Sequence, residues 1–80
     1  MGTAEKLLER MRASKADWGQ DDLHTLYSGF GFSCKEGSRH RLYTHPKLPG
    51  VLATVARHNS LAPGYVATAI RNIDALRNLE

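Results

Sequence analysis

Residues 31–46 run Gly31-Phe32-Ser33-Cys34-Lys35-Glu36-Gly37-Ser38-Arg39-His40-Arg41-Leu42-Tyr43-Thr44-His45-Pro46, and the reading of this stretch decides the fold. Glu36-Gly37-Ser38 is a turn between two short runs, Phe32 to Lys35 and Arg39 to His45, so the stretch is expected to form a β-hairpin. Pro46-Lys47-Leu48-Pro49-Gly50 closes the second strand, since proline supplies no N–H to a ladder. Val51 to Ala56 then reads as a third strand, ended by the polar run His58-Asn59-Ser60.

On either side of this sheet the apolar residues recur with helical spacing. Ala4, Leu7, Leu8 and Met11 make one stripe, with Thr3 as the expected N-cap, Glu5 in the first turn and an end by Ser14 or Lys15. Leu23, Leu26, Tyr27 and Phe30 make a second. There Gly19 is the expected N-cap, Asp21 and Asp22 lie in the first turn, and Trp18 and Leu23 hold the positions of a hydrophobic staple. Gly29 and Gly31 mark the exit of this helix. Val66, Ala69, Ile70 and Ile73 make the last stripe, in a helix opened by Pro63 and capped by Ser60 or Ala62. The expected fold is α+β in the order α-α-β-β-β-α, with a three-stranded antiparallel sheet carrying its helices on one face.

The 80 residues suffice for one domain and not two. No apolar run approaches the roughly 18 residues a membrane helix needs, and Met1 to Ser14 mixes charge with apolar residues unlike a signal peptide. The single cysteine, Cys34, excludes an internal disulfide and any site built on paired cysteines. These features are expected of a soluble protein of a reducing compartment, the cytoplasm, with no membrane partner.

Lysine and arginine number 11 against 8 acidic residues, a net charge of +3, and the excess sits in the middle of the chain. Residues 31–60 hold Lys35, Arg39, Arg41, Lys47 and Arg57 against Glu36 alone, together with His40, His45 and His58. Such a centre suits an anionic partner. Within it, Gly37-Ser38-Arg39-His40-Arg41 places a histidine between two arginines beside a glycine turn. Turn N–H groups can face an anion, and imidazole moves protons near neutral pH. A plain hairpin tip with solvated charges would have the same composition. Strand alternation sets His40 and His45 on opposite faces, so no metal site and no cofactor are expected. His24 is expected at the surface or half-buried, and Cys34 buried and inert. The chain contains no phosphate-binding loop, dinucleotide fingerprint or HExxH zinc motif, and Tyr43 stands nearly alone as a base-stacking aromatic.

Gly31-Phe32, the run Gly37-Ser38-Arg39-His40 and then His45-Pro46 resemble the HicA (YcfA-like) toxin family. That family has a helix ending in Gly-Phe, a Gly-Ser-x-His turn and strand, and a following His-Pro. Arg57-His58 after the third strand and a final helix led by Pro63-Gly64 match in order. The resemblance spans roughly residues 20–76. The chain departs from it in Val55-Ala56-Arg57-His58, where many members have Val-Pro-x-His. The resemblance implies a fold like the double-stranded-RNA-binding domain over residues 19–80, with residues 1–18 an added helix and linker to the same single domain. It implies translation-independent cleavage of mRNA without a metal, His40 as the catalytic residue, and a HicB-type antitoxin as partner. Lys35, Gly37, Ser38, Arg39, Arg41, His45, Arg57 and His58 are the expected RNA-binding residues. A non-catalytic RNA-binding module, or a basic surface that docks an acidic protein, are the alternatives.

Overall fold

The computed structural model describes residues 2–79; the terminal residues included in the single-domain expectation lie outside them. The elements are α1 (Thr3–Ala13), α2 (Gln20–Gly29), β1 (Ser33–Glu36), β2 (His40–Thr44), β3 (Ala53–Ala56) and α3 (Pro63–Arg77). The sheet is an antiparallel meander in the order β1-β2-β3. From α2 onward the order is α-β-β-β-α, and all three helices pack on one face of the sheet.

The apolar stripes are what the helices bury. Leu8 and Met11 of α1, Leu23 and Leu26 of α2, and Val66, Ala69 and Ile73 of α3 are wholly inaccessible. They meet Tyr43, Ala53 and Val55 of the sheet in one core. α1 is therefore part of that core and not an appendage to it. Truncating Leu8 to alanine costs about 2–5 kcal/mol on ordinary core scales. The N-cap of α1 is Gly2, not Thr3, which is already helical, and no side chain among the described residues caps this end. At α2 the expected cap holds: Gly19 is the N-cap, and its N–H donates to the Asp22 carboxylate at 2.9 Å. Pro63 is the first residue of α3 with Ala62 as its cap, where the missing proline N–H costs nothing.

Two backbone bonds stitch the segment after β3 to the α1–α2 junction: Gln20 N–H to the His58 carbonyl at 2.9 Å and Leu61 N–H to the Trp18 carbonyl at 2.8 Å. The bidentate pair of Arg12 with Asp74 joins α1 to α3. Arg12 holds the Asp74 carboxyl below its ordinary range.

Strand alternation assigns the faces. Cys34 opposes Tyr43, which opposes Ala53, and this row points to the helices. Tyr43 stacks on Tyr27 of α2 with centroids 4.6 Å apart, and burial pushes its hydroxyl pKa up. Lys35, Leu42 and Thr54 form a row on the opposite face, which no helix among the described residues covers.

Candidate functional site

The β1–β2 connection is tight and unusual in its bonding. Gly37 N–H donates to the His40 carbonyl at 2.8 Å, which leaves Ser38 and Arg39 as the tip. A Cβ on Gly37 would lie 3.0 Å from the His40 oxygen, so the close approach of the two backbones favours glycine. The Gly37 carbonyl is not used by the ladder. It accepts a hydrogen bond from the Arg57 guanidinium at 3.1 Å, and the Arg57 N–H donates to the Arg39 carbonyl at 3.2 Å. The residue after β3 thus braces the hairpin through both backbone and side chain.

This hairpin presents His40. It is the first residue of the central strand, it is exposed, and it shares the uncovered face with Lys35, its diagonal neighbour across β1 and β2 at roughly 7–8 Å. Ser38 and Arg39 are exposed beside it, and Arg39 has no ion-pair partner among the described residues. His58 lies past β3 at the same end of the sheet, its ring exposed. Lys35, Gly37, Ser38, Arg39, His40, Arg57 and His58 are therefore gathered at one end of the sheet.

The other two expected RNA contacts are placed differently. Arg41 lies two residues from Tyr43 and shares its inward face. Its side chain is 14% exposed, 3.5 Å from Asp21 of α2 and 3.3 Å from Glu36 of β1. Its charge is matched within the protein. His45 follows β2 at the far end, about 16 Å along the strand from His40. Its Nδ1 accepts the Lys47 N–H at 3.1 Å, its ring packs edge-on against Phe32 at 5.1 Å, and its carbonyl accepts the Leu48 N–H. His45 shapes a turn and is too far away to share a phosphodiester with His40.

Sequence reasoning missed the hydrogen bond between His24 Nδ1 and the buried Tyr43 hydroxyl, 2.9 Å across 19 positions. No local signal announces it, although the half-buried place expected of His24 is where it lies. Cys34 is half-buried against the core, close to Tyr43. Among the described residues no three His, Cys, Asp or Glu side chains converge as metal ligands, and no helix is long and apolar enough to cross a membrane. Comparison with known proteins finds no matching family model, no matching curated protein and no matching solved structure.

Proposed function

We propose that this chain is a metal-independent endoribonuclease of the HicA kind, a toxin that cleaves mRNA in the cytoplasm and is held in check by a HicB-type antitoxin. The observation that carries the reading is the exposed His40 at a braced glycine hairpin, flanked by the unpaired Arg39 and by Lys35. His40 takes the proton from a ribose 2′-hydroxyl. The 2′-oxygen attacks the adjacent phosphorus, the bond to the 5′-oxygen breaks, and water returns a proton to the leaving oxygen. Arg39 and Lys35 offset the charge that builds on the phosphorane. Arg57 keeps the Gly37–His40 backbone fixed while this happens, which is a positioning role. The antitoxin surface that covers this end is acidic opposite Arg39 and Lys35, and such complementarity speeds association more than it deepens affinity.

The test is cleavage of single-stranded RNA by the purified protein with a chelator present. Cleavage is expected, and His40→Gln loses about 10²–10⁴-fold of it while keeping the parental melting temperature. A folded His40→Gln protein that cuts at the parental rate removes His40 from catalysis. One observation favours a second reading, a non-catalytic RNA-binding module: no described side chain hydrogen-bonds His40 to orient its ring. Salt-dependent RNA binding by an intact parent that cuts nothing would select that reading.

A further inference from the structure

The two edges of the sheet are defended unequally. Edge strands expose N–H and C=O groups that invite another strand, and proteins blunt them with charge, proline or bulges. β1 carries Lys35 and Glu36. β3 reads Ala53-Thr54-Val55-Ala56, with no charge and no proline, in unbroken register with β2.

The bonding pattern says which groups face out. The Arg57 N–H bond to the Arg39 carbonyl marks those two residues as a hydrogen-bonded pair. Alternation then turns Val55 and Ala53 toward β2 and turns Thr54 and Ala56 away from it. Among the described residues nothing pairs with the Thr54 N–H and carbonyl or with the Ala56 N–H; the Ala56 carbonyl accepts the His58 N–H at 3.0 Å. Beside this edge, between β3 and α3, opens a cleft of about 350 Å³ lined by Tyr27, Thr54, Val55, Ala62, Tyr65 and Thr68. None of these residues is charged. Leu52, 62% exposed, stands just before the strand.

We infer that the β3 edge takes up an extended segment of another protein as a fourth strand, with one large uncharged side chain of that segment seated in the β3–α3 cleft. The unpaired backbone groups select an extended chain, and the cleft selects the residue. A second copy of this chain does not meet the requirement. A four-residue edge gives a ladder only about 13 Å long; over a width of about 10 Å that covers on the order of 100 Å², well short of the roughly 800 Å² per partner of a stable dimer. The inward side chains of a second β3, Ala53 and Val55, are already buried in their own core and cannot fill a neighbour's cleft. The inference does not rest on ribonuclease activity.

A random ten-residue peptide library displayed on phage and selected against the full chain is the probe. The expected binders share one large apolar residue within an alternating, β-branched background. Thr54→Pro, which removes an outward N–H and no bond to β2, weakens the best synthetic binder at least ten-fold. Thr68→Trp, which fills the cleft from an exposed helix position, does the same and serves should the proline variant fail to fold. Amide shifts on binding are expected at Thr54, Ala56 and Tyr65. The inference is overturned if the library yields no binder, if binders ignore both substitutions, or if the free chain is a dimer with Thr54 and Ala56 amides protected from exchange.

Discussion

The two ends of the β1–β2 ladder use the same residue types for opposite purposes. Each pairs a glycine with a histidine. At one end Gly37 brings its N–H to the His40 carbonyl, and the imidazole of His40 stays in solvent. At the other, Gly31 adopts φ +88°, a left-handed conformation that suits glycine, and a Cβ there would come within 3.2 Å of His45 Nε2. His45 is packed and hydrogen-bonded, with its Nδ1 already occupied as an acceptor. A histidine free to exchange protons with a substrate and one consumed by local structure are distinguished by surroundings, not by composition.

Exchanging the roles is the strongest test of that difference. His40→Ala is expected to lose at least about 100-fold in RNA cleavage while melting like the parent, because an exposed position rarely costs more than about 0.5 kcal/mol. His45→Ala is expected to do the reverse. It loses about 1–2 kcal/mol with the turn bond and the Phe32 contact, and keeps its cleavage rate per folded molecule. Parallel melts and single-turnover assays read both, and a catalytic loss at His45 with unchanged stability would break the comparison.

The brace on the hairpin is the next test. Arg57→Ala frees the Gly37 carbonyl and is expected to lower the cleavage rate about ten-fold, with RNA affinity falling only by the loss of one cation. Arg57→Lys, able to reach the same carbonyl, restores most of the rate. An equal loss in both variants, confined to affinity, would make Arg57 a phosphate contact instead.

A smaller effect separates the two arginines that flank His40. Arg39→Ala is expected to flatten the salt dependence of RNA binding by about one unit, the signature of one lost phosphate contact. Arg41→Ala leaves that slope unchanged and lowers stability by about 1 kcal/mol, since its guanidinium serves Asp21 and Glu36. Titrating affinity against salt for both variants decides the matter.

The smallest effect lies far from the hairpin. Asp74 is held below its ordinary pKa by Arg12, so the pair adds stability above the usual carboxylate range. That stability is lost as pH falls through the lowered value. Both side chains are more than a third exposed, at 38% and 41%, so solvent screening limits the gain. Asp74→Asn is expected to lower the melting point by about 2–4 °C at pH 7. As pH falls below the usual carboxylate range the gap from the parent narrows; a gap that is constant with pH would rule out the ion pair as its source.

The helices were legible because apolar residues at helical spacing have one way to be buried together: Leu7, Leu8 and Met11 of α1 all reached the core. The hairpin was legible from Gly37, and the place of His40 followed from it. Arg41 is grouped with the expected RNA contacts, although a signal for its inward place was present in the sequence. Tyr43 is the bulky apolar residue of β2, and a residue two positions away shares its face. Arg57 was grouped with the phosphate contacts because its tie to the Gly37 carbonyl spans 20 positions.

What the sequence by itself determined is the set of elements, their order and the face each presents, because these follow from periodicities within a few residues of the chain. What only the tertiary structure decided is which like residues do different work. Asp21 of α2 lies beside Arg41 of β2 and neutralises it. Phe32 lies against His45, the His24 ring meets the Tyr43 hydroxyl, and among the described residues the β3 edge is left without a partner. Each of these depends on distances between elements remote in the chain, and no local pattern of side chains encodes a distance that only packing sets.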